Sequence, residues 1–364
     1  MSVRGIKHQM THWSWAVPAI ALALLIAALF LPLDALLGSL CAVALIGAVI
    51  AAVHHAEVVA HRVGEPFGTL VLAVAVTIIE VALILSMMLA GGPDTAVLPR
   101  DTIFSAIMII CNGVVGICLL LGGLRHHEQS FRLDGANSGM ATLIALSTLS
   151  LVLPSFTVSA PGPSYTGAQL AFAGLASLVL WGTFVFVQTV RHRDYFLPTG
   201  NAADETQHAH PPSVPQAWTS FGLLLVALIA VVGLAKVLSP AIEHAVAATG
   251  APKATLGIAI ALLVLLPETW AAVRAAYANR LQSSINLALG SALASIGLTI
   301  PAVALASVLL DIRLLLGLGP KELVLLTLTF LVAAFTLATG RTNMMLGAVH
   351  MVIFAAFLFL ALVP

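Results

Sequence analysis

The chain has 364 residues, of which 60% are apolar and 8% are Lys, Arg, Asp or Glu, 15 basic against 15 acidic. A soluble domain carries about 25% charged residues, so a chain with a mean hydropathy of +1.08 has nothing from which to build a water-facing coat, and lipid must be its solvent. The zero net charge provides no broad basic field, which argues against nucleic acid as a partner. Cys41, Cys111 and Cys118 are scattered through apolar runs and read as small buried hydrophobes, not as a disulfide framework or a thiolate cluster.

Crossing a bilayer takes about 20 apolar residues. The sequence predicts eleven such helices, at 14–32, 36–54, 69–91, 102–124, 138–157, 167–190, 219–243, 254–277, 284–310, 321–339 and 343–363. The first run is kept as a helix and not a signal peptide, because a long segment precedes it and Pro32 and Asp34 follow it without an A-x-A-like cleavage site. The fold class is all-α and polytopic. With the N-terminus in the cytoplasm, Arg4, Lys7, Arg62, Arg125, Arg132, Arg191, Arg193, Arg280 and Arg341 fall inside, while Arg100, Lys253, Arg313 and Lys321 fall outside. The positive-inside rule favours that orientation, and eleven crossings then place the C-terminus on the outer face. The longest connection, 191–218, holds His192, Asp194, Asp204, Glu205, His208 and His210 among several prolines and divides the chain in two. The expected organisation is an N-terminal segment with helix 1 (1–35), a first repeat (36–190), a cytoplasmic linker (191–218) and a second repeat (219–364).

Thirteen of the fifteen acidic residues fall in the expected loops or at helix ends, and Glu80 and Glu268 alone lie in the middle of spans. An ionised carboxylate at mid-bilayer costs about 2.5–3.5 kcal/mol on insertion scales, so each is expected to face a wet cavity, share a cation or hold a proton. The alternative is a pair of structural carboxyls hydrogen-bonded between helices. Gly68-Thr69-Leu70 precedes Glu80 much as Leu256-Gly257-Ile258 precedes Glu268, and a small-residue helix follows in each half, with Asn112-Gly113 in one and Gly290-Ser291-Ala292-Leu293-Ala294-Ser295 in the other. With helix 1 set aside, five helices lie on each side of the linker. An odd number per unit inverts the second copy, the architecture of secondary transporters with a site near the midplane.

Helical periodicity puts Thr69, Ala73, Thr77 and Glu80 on one face of 69–91, and gathers Ser284, Ala288, Ser291, Ser295 and Thr299 into a polar stripe on 284–310. Ser105, Asn112 and Gly116 form a similar stripe on 102–124. A single hydroxyl in such a stripe serves either helix packing or ligation, whereas a mid-span amide is costly unless it is used. Pro267 cannot donate to the carbonyl near Leu263, and a break there is expected to expose backbone oxygen beside Glu268.

At these residues the chain resembles the cation/calcium exchanger superfamily, and within it the bacterial ChaA-type calcium/proton antiporters. The resemblance covers most of the chain. It rests on Gly64-Glu65-Pro66-Phe67-Gly68-Thr69-Leu70 running into Thr77-Ile78-Ile79-Glu80-Val81-Ala82-Leu83, on Asn112-Gly113, on Leu121-Gly122-Gly123-Leu124-Arg125-His126-His127-Glu128, and on Leu266-Pro267-Glu268 with the Gly290–Ser295 run. It implies one leading helix plus two inverted five-helix repeats, with Glu80 and Glu268 binding cation and proton in turn and Asn112 and Ser295 at matching positions of the paired helices. The broader calcium/proton exchanger pattern has a Gly-Asn pair before each acidic residue, where this chain has Val76-Thr77 and Val264-Leu265. ChaA-like members are associated with sodium and potassium exchange as well as calcium.

The sequence therefore predicts a transporter, not an enzyme, that exchanges Ca²⁺, with Na⁺ or K⁺ as alternatives, for H⁺. The expected cation- and proton-binding residues are Glu80, Glu268, Asn112, Ser295, Thr77 and Ser291, with Glu80 and Glu268 on the metal and no resident cofactor. Ca²⁺ takes six to eight oxygens, and two carboxylates with hydroxyl, amide and backbone oxygens suit it. The expected partners are inorganic cations, protons and membrane lipid; the sequence sets no oligomeric state. A cation channel is the competing class, since buried acids also line pores, and an intramembrane hydrolase lacks any His-Glu-x-x-His or Gly-x-Ser-x-Gly motif. Glu65-Pro66 is expected to start a helix, by capping or as part of the cytoplasmic ion path. His54, His55, His61, His126, His127, His192, His208 and His210 lie in or beside the cytoplasmic segments, as solvated groups or pH sensors. Lys236 and His350 fall within or near helix ends, where the lysine can snorkel.

Overall fold

The computed structural model describes residues 12–64, 67–197, 212–250, 252 and 254–363. Among the described residues eleven helices are long and apolar enough to cross a membrane, each overlapping one of the expected runs, and the chain is a multi-pass all-α membrane protein. The helices are α1 (His12–Phe30), α2 (Ala35–Val63), α3 (Phe67–Gly91), α4 (Leu98–Met108), α5 (Val115–His126), α6 (Leu133–Ser147), α7 (Gly167–Phe186), α8 (Val214–Thr249), α9 (Ala254–Tyr277), α10 (Leu281–Leu310), α11 (Pro320–Leu337) and α12 (Met344–Leu362). A π-helical turn, Ile109–Val114, joins α4 and α5 into one span, and two more, Thr148–Val152 and Val187–Arg191, extend α6 and α7. Two short strands, β1 (Glu128–Ser130) and β2 (Arg341–Asn343), pair antiparallel with Gln129 opposite Thr342. Glu65-Pro66, Lys253, Arg4, Lys7 and the linker residues Asp204, Glu205, His208 and His210 lie outside the described residues.

The helices group into two compact units that do not follow the two halves of the sequence: 1–90 with 201–244, and 91–200 with 245–364. In the first, α1 lies along α2. Small residues let them approach, with Gly47 against Val17 and the Cys41 thiol 3.9 Å from the Leu24 carbonyl. His55 is fully buried and donates through Nε2 to the Ser14 carbonyl at 2.8 Å. Asp34 caps α2 by accepting from the Leu37 amide at 2.7 Å. That helix runs nine residues past the expected end at 54, because His54 to Val63 contains neither Gly nor Pro and the helix stops only at Gly64, whose φ of 75° suits a residue without a side chain. His54, His55, Glu57, His61 and Arg62 are therefore helical and not part of a loop.

In the second unit the α4–α5 span is central, packed on α9, α10 and α12. Gly257 of α9 meets the backbone of Asp101 and Thr102, where an added Cβ would stand 2.8 Å from main-chain atoms, so α4 and α9 cross almost backbone to backbone. Helix α10 packs on α7, α9 and α6. The extended segment before α11 is laced into place by four hydrogen bonds: Leu315 N to Ala96 O, Gly317 N to Pro163 O, Leu318 N to Leu151 O, and Ser155 Oγ to Leu318 O. Arg100 adds an ion pair to Asp101 at 2.7 Å and a hydrogen bond to Gly317 O at 3.2 Å.

Candidate cation and proton site

Glu80 and Thr77 belong to α3 of the first unit. The inward face of this helix carries Thr77, Glu80, Leu83, Ile84 and Met87, while Val74, Ile78 and Leu89 are exposed. This division is the helical one expected from the spacing. Glu80 is 2% exposed, so its carboxyl group is enclosed at the middle of a helix with an apolar outer side. The side chain of Thr69 lies outside the described residues.

The other candidates belong to the second unit. Glu268 lies half-buried in the middle of α9. Helix α9 packs on the π turn that carries Asn112 and on α10, which carries Ser291 and Ser295. The stripe expected on α10 is turned inward: Ser284, Ala288, Ser295 and Thr299 are buried and Ser291 is half-buried. Its opposite side meets α7 through Gly297, which is pressed on the Trp181 ring. Helix α9 continues unbroken through Pro267, so the expected break beside Glu268 does not form. The missing proline N–H still leaves the Leu263 carbonyl without its usual helical donor.

Asn112 is fully buried, and both ends of its carboxamide are engaged. Nδ2 donates to Thr329 Oγ1 on α11 at 2.9 Å, and Oδ1 lies 3.0 Å from His350 Nδ1 on α12. His350 Nε2 lies 3.0 Å from Thr336 Oγ1. Thr329 in turn donates to the Leu325 carbonyl at 2.8 Å, with Met108 Sδ 3.4 Å away. Asn112 sits in the π turn, a one-residue dislocation of the helix that occurs preferentially at functional positions. Ser105, by contrast, donates back to the Asp101 carbonyl of its own helix at 2.6 Å, which is a packing role.

His350, expected near a helix end, lies inside α12 with no exposure. Sequence reasoning missed it together with Thr329 and Thr336. The signal available was a histidine within an apolar span and two threonines seven apart on the preceding helix, which share a face. Lys236 is exposed on α8, away from the helix ends. Among the histidines at the end of α5, His126 bonds through Nε2 to the Tyr277 carbonyl at 3.0 Å, beside Arg125, whose guanidinium lies 3.9 Å over the Tyr277 ring. Among the described residues no three His, Cys, Asp or Glu side chains come together as a metal cluster.

The sodium/calcium exchanger protein family matches residues 33–190 and 219–363, leaving out the linker. The y4hA protein of Sinorhizobium fredii, which bears the name of an ionic transporter, is 50% identical over 355 residues, covering 97% of this chain and 96% of its own. The sodium-potassium/proton antiporter ChaA of Escherichia coli is 33% identical over 360 residues, covering 97% of each. Among solved structures, the H⁺/Ca²⁺ exchanger CAX superposes with a TM-score of 0.70 at 14% identity, over 95% of this chain and 87% of that one, a likeness of fold.

Proposed function

The chain belongs to the sodium/calcium exchanger protein family, and from that premise we propose that it is a cation/proton antiporter exchanging Ca²⁺, with Na⁺ or K⁺, for H⁺ by alternating access. The observation that carries this reading is Glu80, a carboxyl group 2% exposed at the centre of an apolar span, with a second mid-span carboxyl at Glu268. Such groups are costly as bare anions, so each holds either a cation or a proton, and competition for the same oxygens couples the two fluxes. Thr77, one turn before Glu80 on α3, and Asn112, Ser291 and Ser295 on the elements packed with α9 are the neutral oxygen donors of this reading. In this reading the two halves of the chain are inverted five-helix repeats, the N-terminus is cytoplasmic, the C-terminus lies outside an inner membrane, and the glutamate helices slide with their small-residue partners.

The test is proton movement in everted vesicles, followed with a pH dye after adding Ca²⁺, Na⁺ or K⁺ separately. Cation-evoked collapse of an imposed proton gradient is expected in the wild type and lost in Glu80→Gln and Glu268→Gln. If either variant keeps exchanging at the wild-type rate, that carboxyl is not the shared site.

A second reading, Na⁺ or K⁺ exchange with little Ca²⁺ transport, is favoured by the 33% identity to the sodium-potassium/proton antiporter over 97% of both chains. The same assay separates the two by which ion evokes the larger flux. A channel would pass cation with no imposed proton gradient and no dye response.

A further inference from the structure

We propose that His350 is a positioning residue: its Nδ1–H fixes the carboxamide of Asn112 so that the amide offers its oxygen, and not its NH₂ group, to the transported cation. This rests on the reading of Asn112 as a cation ligand given above. The Leu325 carbonyl can only accept, so the Thr329 hydroxyl at 2.8 Å must donate to it. With its one proton directed there, or toward Met108 Sδ at 3.4 Å, Thr329 Oγ1 faces Asn112 as an acceptor. The Asn112 group 2.9 Å away is therefore the NH₂, and the other end, 3.0 Å from the imidazole, is the carbonyl oxygen. An amide oxygen has no proton, so Nδ1 carries one. In the neutral ring Nε2 is then an acceptor, and the Thr336 hydroxyl at 3.0 Å donates to it.

Every link is directed, and the direction is set by a backbone carbonyl, not by solvent. An amide reversed about its terminal bond would bring NH₂ against the Nδ1–H and an oxygen against a Thr329 oxygen whose proton points elsewhere, which is two mismatches in a fully buried place. The committed oxygen retains one lone pair for a cation, while a reversed amide would present two positive hydrogens. Packing holds the ring in register: an added Cβ on Gly116 would stand 3.0 Å from His350 Cβ, so α5 and α12 meet at this level without room for the ring to withdraw. A cavity of about 10 Å³ beside the ring, lined by Cys111, Met140, Leu289, Ala333 and Thr336, is the size of one water molecule at most.

The experiment compares His350→Asn with His350→Gln by the vesicle assay, with Na⁺, K⁺ and Ca²⁺ as separate probes and with the amount of inserted protein measured for each variant. An asparagine amide nitrogen occupies the place of Nδ1, whereas a glutamine amide reaches the place of Nε2. Loss of a group that orients a ligand weakens metal affinity about tenfold or more. The expected result is a KM for the cation raised by about that factor in His350→Gln, with the maximal rate changed less, and most of the affinity restored in His350→Asn. A packing role predicts the opposite order, because glutamine is nearer to histidine in volume. Equal KM values in the two variants, or a lower one in His350→Gln, overturn the proposal. Should His350→Gln not insert, His350→Met, an apolar side chain of similar volume, takes its place with the same expectation. Asn112→Leu separates this idea from the one beneath it: an unchanged KM in that variant sinks Asn112 as a ligand, whereas a raised KM there with a normal one in His350→Gln sinks only His350. In the Asn112→Leu background, His350→Gln should raise the KM no further.

Discussion

Gly347→Ala adds a single methyl group at the crossing of α5 and α12. The Cβ would fall on the Leu120 amide nitrogen, 2.7 Å from Leu120 Cα and 2.9 Å from the Gly116 carbonyl oxygen. These are backbone atoms of α5, so no side-chain rotation relieves the contact. Ordinary contact begins near 3.4 Å, and the helices must part by about 1 Å at this level, forfeiting a large share of the dispersion energy of the atoms around it. Overpacking of this kind costs about 1–3 kcal/mol. Parting the helices also lengthens the 3.0 Å contact between His350 and Asn112, and a weakened buried hydrogen bond adds about 1 kcal/mol. The expected total is about 2–4 kcal/mol, read as a fall in the midpoint of reversible unfolding in mixed micelles. Gly182→Ala on α7 is the control, because its added Cβ meets nothing within 4 Å; it should be neutral or gain up to about 1 kcal/mol from helix propensity. Equal midpoints for Gly347→Ala and Gly182→Ala would refute the claim that backbone proximity on this seam carries stability.

Other consequences follow from single contacts. Gln129 is buried at the β1 strand and donates through Nε2 to the Ala276 carbonyl at 3.0 Å and to Asn279 Oδ1 at 2.9 Å, so Gln129→Leu should lose about 1–3 kcal/mol in the same unfolding assay by orphaning both acceptors. Ser105→Ala should change neither stability by more than about 0.5 kcal/mol nor cation KM, because its hydroxyl serves only its own helix; a raised KM would return Ser105 to the transport path. Arg100→Met removes an ion pair of two mostly buried side chains and takes from Asp101 its direct partner, a loss of about 3 kcal/mol, whereas the double variant Arg100→Met with Asp101→Asn should recover part of it. A fully additive double-mutant cycle would show that the pair is not coupled.

The spans were legible because a run of about 20 apolar residues has few other readings in a chain so poor in charge. Their ends were less so. The last turns of α2 become polar at His54 and His55 while the helix continues to Gly64, because the bilayer sets where hydrophobicity stops and the backbone sets where the helix stops. The inward stripe of α10 and the burial of Thr77 and Glu80 followed from periodicity alone. The π turns were not legible: shifting a hydrogen bond by one residue leaves composition unchanged, and 102–124 reads as a regular helix although Ile109–Val114 is not α-helical. Pro267 marked a break that did not occur, since a helix buried among neighbours can lose one hydrogen bond and keep its path.

The residues around Asn112 show where a one-dimensional reading stops. Its partners, Thr329 and His350, lie 217 and 238 positions away, and no spacing rule joins helices across the linker. A hydropathy profile treats a histidine in an apolar stretch as a sign that the span is ending, yet His350 is enclosed because Gly116 and Gly347 bring two backbones together on either side of it. The small residues and the buried ring explain each other: without the glycines α12 could not come close enough for Nδ1 to reach the amide, and without a directed partner a mid-span amide would be a cost and not a tool. The mid-span amide that the sequence singles out thus depends on three polar groups that it does not, and its orientation is fixed by a carbonyl, Leu325, that no side-chain pattern could reveal.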